Sequence, residues 1–425
     1  MILSNITAPL LGLVDTAVIG HLSHAYYLGA TAVGAMMITA ITWLCGFLRM
    51  STTGLTAQAF GRKNSQQNLL ILLRGLLVAI ALGFVFIVFK DGYINISLKL
   101  SGGSEQVQFY ARQYSEIRLW GLPAALANLV ILGWLLGNHQ AKTVMWLLIA
   151  TNLINLGLDL LFVLELNWQV SGVAYASLTA EYSAFFAGLF VVITKHKSST
   201  SKLFNNAKHL FKDVFNRDEL GHYFALNRDI LIRTICLEIC FIFITFQGAR
   251  LGDNIVAANA ILLNFLLLIS FSLDGIANAV EALVGKAIGQ NNSAALHQNV
   301  MLALFWTGVF ALLYSVVFWL FGEQLILLMT SIKIVVIYAQ QYILWIVFLP
   351  IIACWCYLFD GVYIGLMQAK IMRNSMLIST FLVFFPTWFV LQSLGNHALW
   401  AAFSLFMLSR GITLGWHYFK YVAKN

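Results

Sequence analysis

Apolar residues in this chain run in continuous blocks of about 20 or more, separated by short polar stretches. They do not alternate every second position, so the pattern predicts membrane-spanning helices rather than barrel strands. Twelve spans are expected, at 1–21, 28–60, 69–89, 107–137, 141–164, 170–194, 226–250, 255–289, 296–321, 335–367, 372–391 and 397–419. Several are longer than a bilayer is thick and must tilt or project into water. The longest polar stretch, Lys195 to Ala225, lies between the sixth and seventh spans.

A second pattern groups the spans. Arg118-Leu-Trp-Gly-Leu-Pro123, followed by Gly137-Asn-His-Gln-Ala-Lys142, recurs as Leu344-Trp-Ile-Val-Phe-Leu-Pro350, followed by Gly365-Leu-Met-Gln-Ala-Lys370. Gly61-Arg-Lys-Asn-Ser65 recurs as Gly289-Gln-Asn-Asn-Ser293, at an offset of 228 residues. Gly133-x-x-x-Gly137 and Gly361-x-x-x-Gly365 share that offset and predict close helix packing in each copy. The expected fold is an all-α membrane protein of twelve transmembrane helices in two parallel-duplicated six-helix lobes. Its parts are an N-terminal lobe at 1–194, a basic linker at 195–225 and a C-terminal lobe at 226–425. Parallel repeats of this kind are a transporter architecture. Aligning the copies places Met1 near Arg233, inside the seventh span, so the first helix reads as truncated at its start and a misassigned start codon is expected.

Composition agrees with this picture. Of 425 residues 60% are apolar and 10% charged, against about 25% charged in soluble chains, which excludes a soluble enzyme. Lys and Arg concentrate in the loops after even-numbered spans and in the C-terminal tail, fourteen there against Lys90, Lys99, Arg250 and Lys333 on the other side. That asymmetry predicts cytoplasmic termini in a cell (inner) membrane. The net charge of +8 then reflects topology and attraction to the inner leaflet rather than nucleic-acid binding. Cys45, Cys236, Cys240, Cys354 and Cys356 all lie in apolar runs and read as small core side chains, with no metal site or disulfide framework. Phosphate-loop and His-Glu-x-x-His motifs are absent, so no cofactor or nucleotide site is expected and any driving energy must come from an ion gradient.

The chemistry is sought in charges at membrane depth, where each costs about 2.5–3.5 kcal/mol on insertion scales. Asp15 and Asp159 each lie about six residues before the outer end of a span, roughly 9 Å inside at 1.5 Å per residue. Asn155 shares the face of Asp159 at i, i+4 and can bind it or a common ligand. Two such carboxylates can share a proton or coordinate a cation such as sodium. In the C-terminal lobe, Asp360 and Glu238 either bind a cation or pair with a base such as Arg49, Arg233 or Lys286. Asp274 and Glu281 are the other acids there, and Glu181 in the sixth span has no assigned partner.

Leu13-Val-Asp15-Thr-Ala-Val-Ile-Gly-His21, Arg49-Met-Ser-Thr-Thr-Gly54-Leu-Thr-Ala-Gln58-Ala-Phe-Gly61 and Asn155-x-x-x-Asp159 closely resemble the multidrug and toxic compound extrusion (MATE) transporters, in their DinF branch. The resemblance implies a secondary antiporter that exports amphipathic, often cationic compounds by alternating access, in exchange for H+ or Na+. By motif, Asp15 corresponds to the first-helix aspartate whose protonation is held to bend that helix, and Asn155 and Asp159 to its fifth-helix partners. Ser177 and Thr179 approximate a sixth-helix hydroxyl of the same pocket. Asp360 resembles the tenth-helix aspartate of the sodium-coupled branch, and Glu238 falls within one residue of that branch's seventh-helix glutamate. The family's first-helix proline would fall just before Met1, and Pro9 does not take its position. Expected partners are small-molecule substrates and the bilayer, with no nucleic acid, for a monomer. The rival readings are a lipid-linked oligosaccharide flippase of similar architecture, whose cavity should be basic, and a non-transporting receptor or scaffold.

Overall fold

A computed structural model describes residues 25–101, 104–195, 213–330 and 332–423. Among them every regular element is helical, and the helices follow the apolar blocks. They are α1 (Ala25–Leu44), α2 (Phe47–Gly61), α3 (Ser65–Val88), α4 (Lys90–Ser101), α5 (Glu105–Leu119), α6 (Leu122–Gly137), α7 (Ala141–Asp159), α8 (Gln169–Lys195), α9 (Arg217–Leu251), α10 (Asp253–Gly289), α11 (Ser293–Met329), α12 (Lys333–Gly365), α13 (Ala369–Ile378), α14 (Phe385–Leu391) and α15 (Asn396–His417). Wider π-turns at Leu160–Glu165, Ser379–Phe384 and Tyr418–Val422 extend α7, α13 and α15. The first expected span lies outside the described residues. Among the described residues nine helical stretches, α1 with α2 counted as one, are long and apolar enough to cross a membrane, or ten with α5 and α6 as one bent span. Helix α9 is not among them.

Two boundaries differ from expectation. The span expected at 107–137 is broken, with α5 and α6 at 54° to each other. Pro123 lacks the N–H that would bond back one turn, and Gly121, with an ordinary helical φ of −79°, leaves room for the Glu181 carboxylate, whose Oε2 a Cβ there would overlap. The carbonyl exposed at the bend, that of Trp120, accepts the Tyr182 hydroxyl at 2.9 Å. The repeat-related Pro350 sits inside α12 without ending it. The second difference is that α9 starts at Arg217, inside the expected linker. Asn216 Oδ1 accepts the N–H groups of Asp218 at 3.0 Å and Glu219 at 3.3 Å, a cap that starts a helix in a polar sequence.

The chain divides into two compact units with the boundary between Phe224 and Ala225, within α9. In the first unit the stretch leading into α9 is fastened to α3. Arg74 donates from Nη2 to the Asp213 carbonyl at 2.6 Å and from Nε to the Val214 carbonyl at 3.2 Å, and its Nη1 lies 3.0 Å from a Glu219 carboxylate oxygen.

Within each unit the duplication recurs as contacts. A Cβ on Gly133 would lie 2.5 Å from the Arg49 carbonyl oxygen, and one on Gly361 would lie 2.5 Å from that of Ala277. Gly137 meets the Thr53 carbonyl and Thr56, and Gly365 meets the Glu281 carbonyl and Val284, with 2.7 Å to the carbonyl in both. Each partner, like each glycine, is displaced by 228 residues. The turns repeat as well. Lys63 and Asn291 take φ of 56° and 52°, and Asn64 and Asn292 each cap the following helix at 2.9 Å. The five cysteines are buried and free.

Candidate functional site

Helix α7 packs on α8 in the first unit and places Asn155 and Asp159 one turn apart on its buried face, both at 0% exposure. The Asn155 Nδ2 donates to Asp159 Oδ2 at 2.5 Å. Asp159 is the last α-helical residue before the chain widens into the π-turn Leu160–Glu165, an irregularity frequent at functional sites. A carboxylate removed from water at this depth must be balanced by a proton, a cation or donors. Asn155 supplies one donor. Asp15 lies outside the described residues.

The two hydroxyls of α8 lie on different faces. Ser177 is buried, whereas Thr179 is exposed and its Oγ1 donates to the Tyr175 carbonyl of its own helix at 2.8 Å. Glu181, unassigned from the sequence, is gripped by Arg118 of α5 in a two-pronged ion pair with both contacts at 2.8 Å. Asn128 of α6 donates to the Glu181 carbonyl at 2.9 Å. Together these bonds tie α8 to both limbs of the bent span.

In the second unit Asp360 of α12 is held between two guanidinium groups. Arg410 Nη2 donates to its Oδ2 at 2.6 Å, and Arg233 Nη2 donates to the same oxygen. All three side chains are buried, Arg410 at 1% exposure. Arg410 also donates to Met407 Sδ at 3.2 Å and lies over the Phe406 ring. A cation approaching Asp360 would therefore meet two positive charges on one carboxylate. Sequence reasoning named Arg233 as a possible partner and missed Arg410, whose only signal is an arginine in the middle of the last apolar block. Asp274, on α10, acts electrostatically on Cys356 and Tyr357, one turn from Asp360. Glu238 is half-buried on α9, five residues beyond Arg233, and no hydrogen bond or ion pair reaches its side chain among the described residues. No group of His, Cys, Asp and Glu that could hold a metal occurs among the described residues.

The two copies can be compared with known families separately. One family model, MatE, matches this chain twice, over residues 1–161 and over residues 230–390. The chain belongs to the MATE family. It is 44% identical to DNA damage-inducible protein F of Escherichia coli K12 over 416 residues, which cover 97% of this chain and 89% of that protein. It is 23% identical to the probable multidrug resistance protein NorM of Bacillus cereus, over 91% of this chain and 85% of that one. A solved multidrug resistance MATE family transporter of the MOP superfamily, in an outward-facing conformation, superposes with a TM-score of 0.84 at 18% identity, covering 99% of this chain and 93% of that chain. This MATE protein is a multi-pass membrane transporter with twelve helices in two lobes, and not an enzyme.

Proposed function

We propose that this MATE protein is a proton-coupled antiporter that exports amphipathic, often cationic compounds, with Asp159, Asn155 and Asp15 as its exchange site. The observation that carries the reading is the Asn155–Asp159 pair, a wholly buried carboxylate that accepts from an amide, on a helix that widens directly beyond it. One such carboxylate balances either a proton or an organic cation. Occupancy by one lowers affinity for the other, which is the linkage an antiporter needs. Sodium coupling through Asp360 is disfavoured, because Arg233 and Arg410 already pair with that carboxylate. Ser177 is the buried hydroxyl of α8, and Asp274 and Glu238 are left as acids of the second lobe without a coupling role. In a cell membrane the basic loops keep both termini cytoplasmic, and the protein acts as a monomer without a cofactor.

The test is efflux of a fluorescent organic cation from proteoliposomes, with pH and sodium gradients imposed separately. The pH gradient alone should drive efflux in the wild type, and Asp15→Asn and Asp159→Asn should each abolish it without loss of expression. Efflux driven by sodium alone, or wild-type efflux by both variants, would sink the reading.

A further inference from the structure

The second unit carries a long apolar groove that the exchange reading does not use. It has a volume of about 600 Å³ and is walled by Met301, Leu304 and Phe305 of α11 and by Ile412, Trp416 and Phe419 at the end of α15. Its floor is Trp355 and Phe359 of α12. These rings come this close to α15 because Gly411 and Gly415 lie under them, where a Cβ would stand 3.1 Å from Trp355 Cβ and 3.0 Å from Phe359 Cε2. The two helices run in the same direction here, since Trp355, Phe359 and Tyr363 meet Gly411, Gly415 and His417 in order.

The dimensions identify an occupant. From Leu408 to Phe419 the groove follows α15 and its π-turn extension for twelve residues, eleven rises or about 16 Å at 1.5 Å per residue. A hydrocarbon core of about 30 Å gives each leaflet about 15 Å, so the groove spans one leaflet from near the midplane to the interface. Directly at its interfacial end stands Lys420, one residue past the last wall residue. Its ammonium lies 4.4 Å from the centre of the Trp416 ring and 5.1 Å from that of Tyr421. Lys420 is exposed, and no carboxylate pairs with it among the described residues. No acidic residue follows Asp360 in the sequence, whereas Lys370, Arg373, Arg410, Lys420 and Lys424 do. An aromatic pair at the interface with an unpaired ammonium over it is the arrangement that meets an anionic headgroup.

We propose that this groove is a binding site for one anionic phospholipid, its acyl chain lying along Trp355, Leu304 and Trp416 and its phosphate against Lys420. The site is separate from the buried carboxylates of the first unit and stands or falls independently of their role.

Native mass spectrometry of the full-length protein, with phosphatidylglycerol and phosphatidylcholine of matched chains offered together, tests it. The wild type should keep one phosphatidylglycerol under activation that strips phosphatidylcholine. Lys420→Gln, at an exposed position where folding is not at stake, should reduce that preference by about fivefold, the factor one lysine contributes near anionic lipid. Leu304→Trp, which fills the groove, should abolish retention of either lipid. Should Leu304→Trp melt early, Lys420→Gln alone decides. Equal retention of the two lipids by the wild type, an unchanged preference in Lys420→Gln, or lipid retained by a stably folded Leu304→Trp would overturn the proposal. So would retention of ethidium, in place of lipid, that Leu304→Trp abolishes.

Discussion

Arg118 holds Glu181 with both terminal nitrogens, each 2.8 Å from a different carboxylate oxygen. The pair joins α8 to the helix that ends at the bend, in surroundings with little water. Removing one partner strands the other as an unbalanced charge, which costs about 3–5 kcal/mol at fully buried sites and somewhat less at the partly accessible Glu181. Arg118→Ala and Glu181→Ala should each lower the thermal unfolding midpoint in detergent by several degrees. The double variant Arg118→Met with Glu181→Leu should recover most of that loss. Additive losses in the double variant would show that the two side chains do not act as a pair.

Asp360 predicts an unequal outcome for its two kinds of partner. Arg410→Met leaves a one-to-one pair with Arg233, whereas Asp360→Ala leaves two buried guanidiniums with no counter-charge between them. Asp360→Ala should therefore be the more destabilising by about 2 kcal/mol or more, a difference within the range for breaking buried pairs. Sodium chloride should not raise the melting temperature of the wild type beyond what choline chloride does. A specific rise with sodium would return the second unit to the list of cation sites.

The repeated glycines predict matched effects. A methyl group at Gly133 or at Gly361 would press on a backbone carbonyl at 2.5 Å, and backbone moves less readily than a flexible side chain. Gly133→Ala and Gly361→Ala should each cost about 1–3 kcal/mol, the range for overpacking. The two losses should agree within about 1 kcal/mol on that scale, measured by thermal unfolding.

Arg74 predicts a change in protease sensitivity. Its bonds to the carbonyls of Asp213 and Val214 and to Glu219 keep the entry to α9 closed. Arg74→Ala should speed tryptic cleavage after Arg217 by about tenfold, equivalent to about 1.4 kcal/mol of local opening. Helices elsewhere should be cut at unchanged rates, and equal acceleration at all sites would mean general unfolding instead.

Much of this fold was legible in the sequence because, in lipid, a backbone has no alternative to satisfying its own hydrogen bonds, so apolar length alone predicts helices. Asn155 and Asp159 were legible as a pair for a related reason, since i, i+4 spacing brings side chains together wherever a helix forms. The rest depends on direction and distance along the chain. Pro123 and Pro350 look alike in the repeat, yet only Pro123 stands at a bend, and hydropathy carries no sign of that. Asn216 starts α9 in a stretch that is polar throughout, where apolar periodicity has nothing to report. Arg410 and Glu181 needed partners from α12 and α5, which no spacing within their own helices reveals. Ser177 and Thr179, two residues apart, were named together, and a helix turns about 200° between them, so one faces inward and the other outward.

The tightest of the contacts repeated at 228 residues are made with main-chain carbonyls. Gly133 rests on the carbonyl of an arginine and Gly361 on the carbonyl of an alanine, with the same separation. A joint whose tightest contact is with a carbonyl is indifferent to what the residue bearing that carbonyl carries as its side chain. Each copy could therefore acquire its own charges, an amide and acid on α7 in one and an arginine-clasped aspartate on α12 in the other, without disturbing the scaffold they share. Descent from one ancestral unit is recorded where the halves agree, and the division of labour between them must be sought where they differ.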